Sequence, residues 1–294
     1  MTGAMDRLAA RFSMTGRRAL VTGGSLSIGR AIVLAFADAG ADVAIQYAGA
    51  ADTSLKNDGA AQELSNLLAE RCVRHGLIEA DFAKAGEGTR TVHAAEQLLG
   101  GVDVLVLCAS VQQREAFTAI SVAERERQTR INFDASVELL QAAVPGMQSR
   151  GWGRILTIGS INQTRPEPEL AIYAALKSAQ HNLGINLARQ LAPHGVTVNN
   201  LSPGLVATAR NSWRRVDAAQ WQAIEHNANP MGRAGTPEEM AGAALLLCSD
   251  AGSFITGADL QVNGGRHLYD GNLNAGSGNP PTSTSIANSP PAAG

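Results

Sequence analysis

Cysteine is scarce: Cys72, Cys108 and Cys248 are the three in 294 residues. Their odd number and wide spacing fit neither a disulfide framework nor a zinc site, so buried thiols are expected and no metal is called for. The six histidines form no H-x-x-x-H pair. An excess of charge of one sign is also missing. With 24 Lys and Arg against 26 Asp and Glu, the net charge is −2, and no basic face for nucleic acid is indicated. No apolar run reaches the roughly 18 residues of a membrane span. The short apolar stretch around Asp6, Arg7 and Arg11 lacks the length and cleavage pattern of a secretory signal. These absences leave a cytoplasmic protein with a small-molecule substrate and no nucleic-acid or membrane partner.

What is present is alternation. Hydrophobic residues make up 45% of the chain and charged residues 17%, the proportions of a globular domain. From residue 18 onward, short β-rich runs alternate with longer helical ones. Strands are expected over 18–22, 43–47, 77–80, 102–108, 154–158, 196–201 and 259–262. Helices are expected over about 28–39, from the end of a polar loop at 48–58 to about 75, up to 99, and over 122–148, 170–191 and 237–247. Strand and helix in alternation specify right-handed crossovers. The expected architecture is therefore α/β, a single doubly wound parallel sheet (Rossmann fold) with helices on both faces. Residues 1–14 read as an N-terminal extension, 15–268 as the Rossmann domain, and 269–294 as a low-complexity tail. The tail is rich in Gly, Ser, Asn, Pro and Ala, and is expected to be disordered because it has too little apolar surface to offset the entropy of ordering.

Two stretches carry chemistry. On the helix over 170–191, Tyr173 and Lys177 stand four residues apart and so share a face. A cation beside a phenol favours the phenolate and draws its pKa toward neutrality, where a general acid or base works best. A Tyr and a Lys at that spacing are common on helices, but here Ser160 ends the preceding strand, where an open parallel sheet binds its ligands. The second stretch, Thr22-Gly23-Gly24-Ser25-Leu26-Ser27-Ile28-Gly29, joins the first strand to the first helix. Glycines there let the backbone approach a pyrophosphate, which the helix N-terminus stabilises.

Together these motifs resemble the short-chain dehydrogenase/reductase family over about residues 15–268. That family has a T-G-x-x-x-G-x-G turn, a catalytic Ser thirteen residues before the Tyr of Y-x-x-x-K, and an Asn on the helix after the fourth strand. Thr22, Gly23 and Gly29 match the turn, Ser160 precedes Tyr173 by thirteen residues, and Asn132 takes the Asn place.

The resemblance implies hydride transfer between a nicotinamide and a carbonyl or secondary alcohol. Tyr173 would exchange the proton, Ser160 would hold the substrate oxygen, Lys177 would lower the phenol pKa and hold the ribose, and Asn132 would position a water for proton relay. It also implies cofactor contacts at Gly23, Ser25, Ser27, Ile28 and Gly29 of the turn, at Tyr47, Asp81, Phe82 and Ala109 after successive strands, at Tyr173 and Lys177, and at Pro203, Gly204, Val206 and Thr208. A homo-oligomer, tetramer or dimer, built on the Tyr173 helix is implied as well, with His181 on the outer face.

Two departures from the family pattern stand out. Ser27 replaces the middle glycine of the turn, and Leu107-Cys108-Ala109-Ser110 stands where the family has Asn-Asn-Ala-Gly. Tyr47 ends the second strand without the acid that would favour a ribose 2′-hydroxyl, so NADP is expected over NAD, with Lys56 the one loosely placed cation. Polar residues rim the expected cleft: Gln112, Gln113 and Arg114; Asn162, Gln163 and Arg165; and Asn211, Trp213, Arg214 and Arg215 on a lid over 205–233. They point to a sugar-like, polyol or anionic substrate, with a 3-oxoacyl thioester as the alternative. A non-catalytic nucleotide sensor is the reading from another class.

Overall fold

Residues 3–268 are described by the structure, a computed structural model; the tail over 269–294 lies outside the described residues. Seven aliphatic runs become strands: β1 (Arg18–Val21), β2 (Asp42–Tyr47), β3 (His75–Glu79), β4 (Val104–Leu107), β5 (Gly153–Ile158), β6 (Val196–Pro203) and β7 (Asp259–Val262). They form one all-parallel sheet in the order β3-β2-β1-β4-β5-β6-β7. Every residue of β4, β5 and β6 is buried, as a parallel sheet covered on both faces requires.

Between the strands run α1 (Ala4–Phe12), α2 (Ser27–Asp38), α3 (Gly49–Ser54), α4 (Ala60–Ala69), α5 (Glu87–Leu99), α6 (Val122–Thr129), α7 (Ala135–Arg150), α8 (Ala171–Leu191), α9 (Ala218–Ala228) and α10 (Pro237–Cys248). Strand alternation sends Ala19, Val21, Val104 and Val106 into one core layer with Ile32 and Phe36 of α2 and Met240 of α10. Leu20, Leu105 and Leu107 enter the other layer with Val92 of α5 and Leu139 of α7. The strand order reverses between β1 and β4, and at such a switch point the outgoing loops diverge and leave a crevice.

The differences from expectation are local. The polar loop over 48–58 contains α3, whose buried Asp52 accepts a hydrogen bond from the Ser25 hydroxyl at 3.0 Å. The helix expected to reach residue 75 stops at Ala69, Cys72 turns with φ +54, and β3 begins at His75 in register with Val43. The expected helix over 122–148 is interrupted by a π turn at Arg130–Asp134, the segment that carries Asn132. The stretch over 205–233 is largely helical, with a 3₁₀ segment at Ala209–Arg215 followed by α9.

At the closed end of the sheet, Asp103 ties β1 to β4. It is 5% exposed and accepts from Arg18 Nε and Nη2, both at 2.7 Å, and pairs with Arg150 Nε at 2.9 Å. Burial pushes its carboxyl up, but the Arg18 bonds and the Arg150 charge outweigh this and hold it below the ordinary carboxylate range. A depressed carboxyl contributes stability that is present above the unfolded pKa of about 4 and lost as pH falls through the folded value. Asp103→Asn should lower unfolding free energy by about 3 kcal/mol, the scale for breaking a buried pair. Denaturant titrations across pH 3 to 7 should show the difference from the unaltered protein shrinking toward the acid end.

Candidate active site

The crevice begins where β1 ends. The Thr22 hydroxyl donates to the Val106 carbonyl at 3.1 Å and accepts from the backbone N–H groups of Cys108 and Ala109 at 3.0 and 3.1 Å. One side chain thus couples the two loops that diverge at the switch point. Gly23 follows with φ +60, and a Cβ there would lie 2.9 Å from the Ala109 Cα. A Cβ on Gly29 would stand 2.1 Å from the Gly23 carbonyl oxygen. The turn therefore closes only on glycine, and it aims the open N-terminus of α2, with Ile28, into the crevice. Gln46 supports it from beneath, accepting from Gly23 N at 2.9 Å and donating to Ala80 O at 2.8 Å.

Ser27 holds φ +51, a left-handed conformation that favours glycine. Its hydroxyl oxygen accepts from Ala209 N at 3.0 Å and keeps its own proton for a further acceptor. Tyr47 closes β2; burial and the neighbouring Glu79 raise its phenol pKa. Asp81 is exposed and caps Ala83 N at 3.0 Å, and Phe82 is buried in the core. Lys56 lies beyond the end of α3 with φ +58.

Across the crevice, β5 leads to Ser160, and the first turns of α8 carry Tyr173 and Lys177 to the same point. All three are buried, Lys177 to 1% exposure. An ammonium so deep must be hydrogen-bonded. Lys177 Nζ donates to Ile158 O at 2.7 Å and to Gln180 Oε1 at 3.1 Å, while Gln180 Nε2 donates to Ser136 Oγ at 2.8 Å. Burial still draws the Lys177 pKa down to about 8. Ser160 Oγ accepts from Asn162 N at 3.1 Å.

Two of these residues have partners that the sequence does not indicate. The Asn132 side chain clasps the Val111 backbone, accepting from its N–H at 2.9 Å and donating to its carbonyl at 2.8 Å. Hydrogen bonds from Lys177 continue through Gln180 to Ser136, whose hydroxyl is 3.5 Å from the Asn132 carbonyl oxygen. The second is the phenol. Burial raises the Tyr173 pKa, and the strongest opposing charge is Arg210, with Ser160 also favouring the phenolate. Lys177 Nζ lies 5.9 Å from the ring centroid, with two of its three N–H groups given to Ile158 and Gln180.

Arg210 is the residue that sequence reasoning missed. It sits two residues past Thr208, at the start of the 3₁₀ segment, and its Nη2 reaches over the crevice to Ser110 O at 2.6 Å and Ser110 Oγ at 3.1 Å. Nothing in the local pattern marks it, because its neighbours come from β4 and α8.

Beyond β6, Gly204 packs so closely on Asn263 that a Cβ would lie 2.8 Å from the Asn263 Cβ, and buried Val206 bridges to Gly235. These contacts carry the chain from Pro203 to Thr208 along the crevice. Several rim residues hold loops together: Arg114 pairs with Glu167 and Glu169 at 2.5 and 3.3 Å, Gln163 donates to Asp259 at 2.8 Å, and Asn211 accepts from Thr208 N at 3.0 Å. Trp213 is 66% exposed.

A glycine-only cradle at the switch point, facing a buried Ser, Tyr and Lys, defines a dinucleotide-dependent oxidoreductase. The family model described as enoyl-(acyl carrier protein) reductase matches residues 23–267. Acetoacetyl-CoA reductase of Allochromatium vinosum is 32% identical over 253 residues, 86% of this chain and 99% of that protein. L-Rhamnose 1-dehydrogenase (NAD(P)(+)) of a Sphingomonas strain is 32% identical over 256 residues, 87% of this chain and 98% of that protein. Among solved structures, a 3-oxoacyl (acyl-carrier-protein) reductase from Agrobacterium tumefaciens C58 with NADP bound matches at 39% identity and TM-score 0.84, covering 90% of this chain and 100% of that one. The chain belongs to the short-chain dehydrogenase/reductase family. It is an oxidoreductase that transfers hydride between a nicotinamide cofactor and a carbonyl or secondary alcohol.

Gly29→Ala tests the cradle. The added Cβ forces the turn apart, an overpacking of about 1–3 kcal/mol, so NADPH affinity should fall about 10- to 100-fold by fluorescence titration. The far-UV circular dichroism spectrum should stay unchanged.

Proposed function

We propose that this protein is an NADP-dependent reductase or dehydrogenase of polar, hydroxylated or anionic carbonyl compounds, acting in the cytoplasm as a homo-oligomer packed on α8. The observation that carries it is the convergence of Ser160, Tyr173 and Lys177, all buried, opposite the glycine cradle. NADP is favoured because Tyr47 ends β2 where an acid would select NAD, and because the Agrobacterium relative holds NADP. When bound, the nicotinamide supplies or receives the hydride. The chain's own residues do the rest.

Gly23, Ser25, Ser27, Ile28 and Gly29 hold the pyrophosphate end, with the spare proton of Ser27 directed to it. Tyr47, Asp81, Phe82 and Ala109 wall the adenosine half, and Pro203, Gly204, Val206 and Thr208 support the nicotinamide end. Tyr173 gives its proton to the substrate oxygen in reduction and takes it in oxidation. Ser160 holds that oxygen by a hydrogen bond and steadies the charge that develops on it. Lys177 anchors the ribose, and the chain of hydrogen bonds through Gln180, Ser136 and the Asn132 carbonyl holds its ammonium in place. Asn132 fixes the loop after β4 through Val111.

The polar rim favours a sugar-like or polyol substrate, in line with the rhamnose dehydrogenase relative; the acyl reductase relatives support the second reading, a 3-oxoacyl thioester. The small residues Ala175 and Ala179 and the 44% exposed Ile185 of α8 suit close packing against a second copy.

Tyr173→Phe should reduce kcat about 10²- to 10⁴-fold, the usual share of a positioned acid, while NADPH still binds. Unchanged turnover would refute the assignment. A pH profile adds a second check. Lys177 is charged below about 8 and neutral above it, so kcat/KM for the nucleotide, which reports groups of the free enzyme, should decline as pH rises through that value.

A further inference from the structure

The roles above leave Arg210 without a task, although it reaches across the crevice to Ser110. Its guanidinium is half-buried and fixed by the two bonds from Nη2 to the Ser110 carbonyl and hydroxyl. Among the described residues no carboxylate pairs with it, whereas Arg114 and Arg233 on the neighbouring loops are held by Glu167, Glu169 and Glu239. Lys177, the other cation of the site, likewise has neutral oxygens as its partners. Two positive charges therefore face one cleft without a protein counter-ion. In such a medium, a charge-assisted hydrogen bond to an anion is worth more than a neutral one. A guanidinium carries five N–H donors, so three remain on Nε and Nη1.

We propose that Arg210 is the specificity-determining residue of this site and that it selects substrates that carry a carboxylate near the reacting carbonyl, such as 2- or 3-oxo acids and the matching hydroxy acids. The proposal rests on the hydride-transfer reading given above. The geometry comes from Ser110: it follows β4 at the switch point, and the two bonds to it hold the guanidinium on the wall of the crevice that a substrate carbonyl must enter to reach Ser160 and Tyr173. Ser110, one of the departures from the family pattern, supplies both anchoring oxygens, and glycine at that place would supply only the carbonyl. Ser27, the other departure, holds the adjoining residue Ala209. The two serines set the start of the 3₁₀ segment from opposite walls of the crevice. The reaction is the ordinary exchange: a C–H bond forms from the nicotinamide hydride, the carbonyl oxygen takes the Tyr173 proton, and the carboxylate passes through unchanged.

The test uses the full chain with NADPH and matched pairs of four-carbon 2-oxo and 3-oxo acids and their amides. The unaltered enzyme should favour the acid of the preferred pair about 10- to 100-fold in kcat/KM, the range of a charged hydrogen bond. In Arg210→Met that preference should fall to about one, and Arg210→Lys should keep part of it. Equal rates on acid and amide in the unaltered enzyme, or an undiminished preference in Arg210→Met, would overturn the proposal. So would a loss of NADPH affinity in Arg210→Met that lowers acid and amide turnover alike, since Arg210 would then belong to the cofactor wall. An enzyme that binds NADPH yet reduces neither member of any pair overturns the carboxylate site alone. Failure to bind NADPH at all overturns the hydride-transfer reading, and this proposal with it.

Discussion

The buried ammonium of Lys177 is the constraint on which the site depends. At 1% exposure it has given up its water, and desolvation alone would neutralise it. The Ile158 carbonyl at the end of β5 and the Gln180 side chain one turn along α8 hold it instead. Each partner is fixed in turn: Ile158 by its place in the sheet opposite Leu201, and Gln180 by the Ser136 hydroxyl on α7. A strand and two helices are thereby locked around one charge. Tyr173 lies one turn earlier on α8 and is buried, as Ser160 is. The residual tension shows in the pKa near 8, which leaves Lys177 within reach of deprotonation in mildly alkaline solution.

The other half of the crevice is held by shape. Gly23 and Gly29 approach so closely that no side chain fits between them, and the Thr22 hydroxyl binds the turn to the strand on its far side. Ser27 is the exception. Its left-handed backbone costs about 1 kcal/mol relative to glycine, offset in part by the bond to Ala209 N. What a glycine-rich turn loses in ease of folding here, it gains in a direct tie to the segment that carries Arg210.

Much of this was legible in the sequence because it obeys period and punctuation. The seven strands, the parallel order and the helix with Tyr173 and Lys177 follow from alternating runs and their glycine stops, and Ser160 from its place at a strand end. Short α3 was hidden in a polar loop because its reason for folding is tertiary, the bond between buried Asp52 and Ser25. The π turn that directs the Asn132 side chain at Val111 leaves no trace in a helical pattern. Arg210 was invisible for the same cause: one arginine among several on a polar segment, distinguished only by which strand and helix the fold places beside it. Lys177 is expected beside the phenol from helix spacing alone, whereas the charge of Arg210, which also favours the phenolate, comes from a different part of the chain.

The most direct test of the account is a titration of the purified protein with NADPH and with NADH, followed by nucleotide fluorescence. The account predicts saturable binding of NADPH, tighter than that of NADH because no carboxylate ends β2. Binding of neither nucleotide would contradict it, since a cradle that only glycine can form, with Lys177 opposite, would then hold nothing.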